Sequence, residues 1–155
     1  MVSKMKKIFV VNGPNLNMLG KREPTIYGTA SLEQLTHLME EKAQELGMDV
    51  AFYQSNHEGE IIDQIQGTLG KYDGMIINPG AFTHYSYAIS DAISAVQIPT
   101  VEVHISNIYR RESFRHHSVI APVSVGQISG LGMYGYFAAL QFFADFFKFH
   151  KSSGN

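Results

Sequence analysis

The chain alternates short, continuously apolar runs with longer stretches in which apolar residues return every three or four positions. The first run, residues 7–11, is apolar at both parities through Ile8, Phe9, Val10 and Val11, as a parallel strand covered on both faces must be. After a long connection the pattern predicts a helix. Ser31 and Gln34 have the spacing of a capping box, Leu32, Leu35, Met39, Ala43 and Leu46 mark one face, and Gly47 stands where the helix must stop. Residues 48–53 read as a second strand, Ile61, Ile62, Ile65 and Leu69 as the stripe of a second helix, and residues 74–78 as a third strand. Residues 87–96 are expected to be helical with Ala88, Ala92 and Val96 on one side. Pro99 opens a fourth strand at 100–105, a fifth follows at 123–128, and the last helix covers 135–149.

Strands that each lead into a helix imply a parallel sheet with right-handed crossovers and helices on both faces. The predicted fold class is α/β and flavodoxin-like: a five-stranded parallel sheet in the order 2-1-3-4-5. No repeat or low-complexity linker divides the 155 residues, so one catalytic domain is expected, with frayed ends outside a core at about 6–149. The last helix carries Tyr136, Phe137, Leu140, Phe142, Phe143, Phe146, Phe147 and Phe149. That is more large rings than one stripe accommodates, which predicts that some meet another subunit.

Composition narrows the class. Hydrophobic residues at 45% and charged residues at 17%, spread along the chain, describe a globular protein. A formal net charge of −2 supplies no general field for nucleic acid or anionic lipid, so an anionic ligand must be held by a local cluster. The absence of cysteine excludes disulfides and thiolate metal sites, and permits a reducing compartment. The basic start ends its apolar run at Asn12-Gly13-Pro14, too soon for a secretory signal, and residues 134–149 are interrupted by Gln141, Asp145 and Lys148. Neither stretch reaches the ~18 uncharged residues of a membrane span. A cytoplasmic protein with no membrane or nucleic-acid partner is the expectation.

Open α/β sheets bind ligands beyond the carboxyl ends of their strands. Strand one runs into Asn12-Gly13-Pro14-Asn15-Leu16-Asn17 and strand three into Asn78-Pro79-Gly80-Ala81-Phe82-Thr83-His84, while strand four holds Glu102 and His104 before Ser106-Asn107. Taken singly, the Asn-Gly-Pro and Asn-Pro-Gly triplets read as turns. Together, on strands that the predicted order makes neighbours, they gather amides, histidines and backbone donors at one crevice. Residues two apart in a strand share a face, so Glu102 and His104 point one way and Val101, Val103 and Ile105 the other. A carboxylate there would fix one ring nitrogen as a donor and favour the protonated ring, preparing the other nitrogen to give a proton; a structural ion pair is an equal reading of the same spacing. The connection 13–30 is long where the median is about 4–6 residues, which suggests a lid. It carries Arg22 five residues before Tyr27. A cation beside a phenol of ordinary pKa about 10 favours the phenolate, so Tyr27 is a candidate base, although most loop tyrosines only pack their rings. Arg115-His116-His117 reads equally as an anion or hydroxyl contact and as a surface cluster. No His-Glu-x-x-His helix or compact carboxylate set is present, so no metal and no cofactor are expected.

Three ordered blocks carry a resemblance. They are Asn12 to Asn17 with Gly20-Lys21-Arg22-Glu23-Pro24 and Tyr27-Gly28; Asn78 to His84 with Asp91-Ala92; and Glu102-Val103-His104-Ile105-Ser106-Asn107 with Arg111-Glu112 and Phe114-Arg115-His116-His117-Ser118. From about residue 6 to 147 the chain resembles the type II 3-dehydroquinate dehydratases. The resemblance implies a lyase of the shikimate pathway of aromatic amino acid biosynthesis that converts 3-dehydroquinate to 3-dehydroshikimate by anti elimination through an enolate. It assigns Tyr27 as base, Arg22 as the lid arginine that favours its phenolate, Asn15 as holder of a water near the enolate oxygen, His104 as general acid and Glu102 as its orienting partner. For binding it implies Asn78 and the backbone of Ile105 and Ser106 for the substrate carboxylate, His84 and Arg115 for ring hydroxyls, and Asp91 reaching in from a neighbouring subunit of a dodecamer built from trimers. Met18, Tyr85 and Ser90 depart from residues common in the family and bear on affinity, not on the reaction. To act near pH 7, Tyr27 must be made about a thousandfold more acidic than a free phenol, about 4 kcal/mol, more than one exposed arginine supplies; closure of the lid over the site is therefore expected. The alternatives are a flavodoxin-like flavin or phosphate binding module, which a colourless protein would exclude, and a non-catalytic assembly protein, which leaves Tyr27, His104 and Arg115 without a task.

Overall fold

The computed structural model describes residues 4–150, with the side chain of Tyr27 outside that description. Five strands, β1 (Lys7–Asn12), β2 (Asp49–Gln54), β3 (Gly74–Asn78), β4 (Thr100–His104) and β5 (Gly126–Ser129), form one parallel sheet in the order β2-β1-β3-β4-β5. This is the predicted flavodoxin-like order. The helices are α1 (Pro24–Tyr27), α2 (Leu32–Glu45), α3 (Glu58–Gln66), α4 (Tyr87–Val96) and α5 (Tyr134–Phe149).

Strand periodicity divides the core into two layers. Ile8, Val10, Ile76, Val101 and Val103 face α2 and α5, packing on Leu35, Met39, Tyr136, Leu140 and Phe143. Phe9, Val11, Met75 and Ile77 face α3 and α4, packing on Ile61, Ile65, Ile89 and Ile93. Fully burying each such side chain contributes about 1.5–3 kcal/mol, which is why the central strands are apolar at both parities.

The capping box of α2 forms as expected: Ser31 Oγ accepts from Gln34 N at 3.1 Å, and Gln34 Oε1 accepts from Ser31 N at 2.8 Å. Gly47 ends the helix at φ +75°, with Gly47 N donating to Gln44 O and Met48 N to Ala43 O, a Schellman closure that an L side chain resists.

Three expectations are corrected. The stripe of α3 does not extend to Leu69, because the helix closes at Gln66 with Gly67 and Thr68 turning the chain, and Leu69 is left exposed. Helix α4 turns Ile89, Ala92, Ile93 and Val96 inward and leaves Ala88 outside, since a pair of isoleucines removes far more apolar area from water than one alanine. Strand five begins at Gly126 and not 123: Ala121–Val123 is a 3-10 turn whose bonds, Val123 N to Ile120 O and Ser124 N to Ala121 O, commit that backbone elsewhere. The connection 13–30 holds a 3-10 turn at Leu16–Met18 and the single turn α1. Its first part is anchored by Leu16 and Leu19 in the core, while Lys21 and Glu23 to Ile26 stand exposed.

Of the rings on α5, Tyr136 and Phe143 are fully buried and Phe137, Phe142 and Phe147 pack partly against the same core. Phe149 remains 82% exposed, a ring with little cover among the described residues.

Candidate active site

The carboxyl ends of β1, β3 and β4 open into a cleft of about 260 Å³. Its wall includes eight of the residues singled out from sequence: Asn15, Arg22, Asn78, His84, His104, Ile105, Ser106 and Arg115. Arg111 joins Arg22 and Arg115 there, and none of the lining residues is acidic. A chain of net charge −2 thus gathers guanidinium groups around one opening, the local cluster that an anionic ligand requires.

The first two walls are pinned together by backbone. Gly13 N donates to Asn78 O at 2.8 Å, and a Cβ on Gly13 would lie 2.5 Å from Pro79 O, so only glycine permits this approach. Asn15 adopts the left-handed region at φ 70°, which asparagine tolerates, and its N–H donates to Asn56 Oδ1 at 2.9 Å. Gln54 Nε2 adds a bond to Gly13 O at 3.1 Å. The end of β2 therefore braces the loop that carries Asn15.

Strand β4 supplies the charged centre. Glu102 and His104 share a face as predicted, and Val101, Val103 and Ile105 take the other, inside the α2–α5 layer. Glu102 is fully buried, and its carboxylate accepts from His104 Nε2, from Thr83 Oγ1, and from Ser118 Oγ at 2.9 and 3.0 Å. Burial alone would raise its pKa, but the bonds from His104, Thr83 and Ser118 and the histidine charge outweigh that, and Glu102 sits below the ordinary carboxylate value. With Nε2 engaged by Glu102, Nδ1 is the nitrogen that His104 has left for the cleft it lines. Past His104 the carbonyls turn away: Gly130 N bonds His104 O, Gly132 N bonds Ile105 O, and Ser129 Oγ bonds Ser106 O.

His84 Nδ1 lies 2.8 Å from His117 O, so it carries the proton and Nε2 is an acceptor. Burial, with the neighbouring His104 and Arg115 charges, holds its pKa below the ordinary histidine value. Arg115 is aimed by an ion pair to Glu112 and rests over the Phe114 ring, 4.8 Å from its centroid.

Two expected residues among those described are not in the cleft wall. Glu102 stands behind His104. Asp91 is exposed on α4 and takes no part in the cleft of its own chain. The side chain of Tyr27 lies outside the described residues, although its backbone closes α1 in the same connection as Arg22. Sequence reasoning missed the two hydroxyls on Glu102, Thr83 and Ser118, because a lone Ser or Thr in a loop carries no spacing signal. It gave Arg111 no role, and it counted Tyr136 only as one ring among many. In the structure the Tyr136 hydroxyl, fully buried, donates to Asn12 Oδ1 at 2.6 Å and accepts from Asn78 Nδ2 at 2.9 Å.

Comparison with known proteins points one way. Residues 6–144 match the family model described as dehydroquinase class II. A Caldicellulosiruptor bescii protein named 3-dehydroquinate dehydratase is 64% identical over 137 residues, covering 88% of this chain and 94% of its own. One of the same name from Thermotoga maritima is 58% identical over 136 residues, 88% of this chain and 93% of that one. Among solved structures, the type II dehydroquinase from Propionibacterium acnes superposes with a TM-score of 0.88 at 45% identity, over 92% of this chain and 99% of the other. That from Butyrivibrio crossotus gives 0.87 at 52% identity, over 89% and 97%.

Proposed function

The chain belongs to the class II dehydroquinase family, and from that membership we propose that it dehydrates 3-dehydroquinate to 3-dehydroshikimate in the shikimate pathway. The observation that carries the reading is the buried Glu102–His104 pair beside Asn78 in an opening ringed by guanidinium groups. It offers an oriented proton donor next to a place for a carboxylate.

The roles follow from the chemistry of elimination. Tyr27, as phenolate favoured by Arg22, takes the proton alpha to the ketone and leaves an enolate, whose oxygen a water held by Asn15 stabilises. His104, as imidazolium held by Glu102, protonates the departing hydroxyl as the carbon–oxygen bond breaks. The enolate pair closes the new double bond, giving a conjugated enone and one water. The phenol proton and the imidazole then re-equilibrate through solvent, so no redox partner enters. Asn78 and the N–H groups of Ile105 and Ser106 hold the substrate carboxylate; His84, with Nε2 as acceptor, and Arg115 take ring hydroxyls. The exposed segment that carries Arg22 and Tyr27 closes over the substrate, excluding water and strengthening the Arg22–Tyr27 interaction.

We further propose that twelve chains assemble as trimers in a cytoplasmic dodecamer, with Asp91 completing the neighbouring cleft. Its exposure on α4 supports that role, and no helix among the described residues is long and apolar enough to cross a membrane. The comparisons favour this enzyme over a flavin or phosphate binding module. The test is formation of the ultraviolet-absorbing enone from 3-dehydroquinate with and without chelator. Turnover that survives chelation supports the reading, and absence of turnover by metal-free protein overturns it.

A further inference from the structure

The mechanism uses the cleft-facing side of Asn78 but leaves unexplained what stands behind it. Asn12 and Asn78 are register partners at the carboxyl ends of β1 and β3, and the Tyr136 hydroxyl from α5 sits between their side chains. All three side chains are buried, Asn12 at 2%, Asn78 at 3% and Tyr136 at 0% exposure.

An amide side chain can be placed either way round, and its two faces are opposite in function: one accepts, the other donates. Here one contact removes the ambiguity. Gly80 N donates to Asn78 Oδ1 at 3.1 Å, and a backbone N–H can only donate. Asn78 therefore turns its oxygen to Gly80 and its nitrogen to Tyr136. The phenol oxygen must accept that bond, so its single proton is directed to Asn12 Oδ1. Of the two hydrogens on Asn78 Nδ2, one is spent on Tyr136 and the other remains for the cleft that Asn78 lines. Burial pushes the Tyr136 phenol well above its ordinary pKa, so this proton stays in place across the working range.

We propose that Tyr136 is a positioning residue for substrate binding: its buried hydroxyl locks the Asn78 amide so that it presents a donor, not an acceptor, to an anionic group in the cleft. The inference rests on the assignment of Asn78 to the substrate carboxylate. Without the phenol oxygen, the bond from Gly80 N is left to oppose rotation of the amide among the described residues. The rotated form sets a carbonyl oxygen against the carboxylate, which weakens ground-state and transition-state binding alike.

The test is steady-state kinetics on Tyr136→Phe, Asn78→Ala and the double variant, with thermal midpoints measured in parallel. Tyr136→Phe keeps the ring and its packing; it raises KM roughly tenfold and leaves kcat within about threefold, as loss of uniform binding requires. Asn78→Ala also raises KM, and in that background the second change adds nothing, because no amide is left to position. Full additivity, or a lowered midpoint with KM unchanged, overturns the inference and leaves the role of Asn78 intact. An unchanged KM in Asn78→Ala overturns both the inference and the carboxylate assignment beneath it. Should Tyr136→Phe not fold, Asn12→Ala serves instead: it removes the acceptor that parks the phenol proton, and a KM equal to wild type overturns the lock.

Discussion

Glu102→Gln is the sharpest probe of the charged centre, because glutamine matches glutamate in shape yet cannot match its bonds. Every partner of the carboxylate is a donor: His104 Nε2, Thr83 Oγ1 and Ser118 Oγ. Ser118 Oγ already accepts from Ile120 N at 3.1 Å and Ala121 N at 2.9 Å, so it has no lone pair to offer a glutamine amide. One N–H₂ group is thus buried against a donor. That mismatch costs about 1–3 kcal/mol of stability, at about 2–4 °C of midpoint per kcal/mol. Catalysis loses separately, since His104 then donates to a neutral amide oxygen instead of a carboxylate. A hydrogen bond to a charged partner is worth about 1.5–3 kcal/mol, so kcat falls roughly 10- to 150-fold with KM little moved.

The same carboxylate sets an acid limit. Its folded pKa is lowered, so the stability it contributes is complete above the ordinary value of 4.5 and is lost as pH falls through the lower native value. The glutamine variant has no proton to bind there and lacks that limb. The assay is initial rate by enone absorbance across acid pH, beside denaturation midpoints at the same pH values. A variant with wild-type kcat and an unchanged acid limb refutes the claim that Glu102 holds His104 in its charged, donating form.

Further outcomes are expected elsewhere in the site. Tyr27→Phe removes the proposed base and Arg22→Ala its partner; each lowers kcat by about 10²-fold or more, and near wild-type turnover in either defeats the assignment. Gly13→Ala drives a methyl into Pro79 O at 2.5 Å and Pro79 C at 2.7 Å, destabilising the fold by about 1–3 kcal/mol and raising KM as the β1 and β3 loops separate; unchanged denaturant midpoint and KM contradict the close approach. Light scattering should give the mass of about twelve chains, and Asp91→Ala should raise KM without lowering the midpoint; a stable monomer with full activity removes the proposed role of Asp91.

What could be read from sequence follows from which signals are local. The alternation of continuous apolar runs with helical stripes required two covered faces and so a parallel sheet, and the strand order came from the five-stranded flavodoxin-like arrangement. The Glu102–His104 pair was legible because a period of two holds in any strand, whatever it packs against. Leu69 and Ala88 misled for the converse reason: periodicity says which residues share a face, but where α3 closes is decided by the bonds of Gly67 and Thr68, and which face of α4 turns inward by the bulk of Ile89 and Ile93. Val123 looked like strand, yet the turn 121–123 had claimed its backbone. Thr83 and Ser118 reach Glu102 from 19 and 16 residues away, a convergence visible only in three dimensions.

The two tyrosines show most clearly why motif spacing alone falls short. Tyr27 closes the single turn α1 in the same connection as Arg22, and the proposed reaction asks its phenol, near a cation, to give up its proton and work as a base. Tyr136 bears the same group inside the core, between two amides, where desolvation forbids the anion and makes the hydroxyl a permanent donor to Asn12. The same residue type is thus asked to ionise in one proposed role and to keep its proton in the other. The first role is proposed from a sequence motif, whereas the second comes into view only through the register that sets Asn12 opposite Asn78 beneath α5.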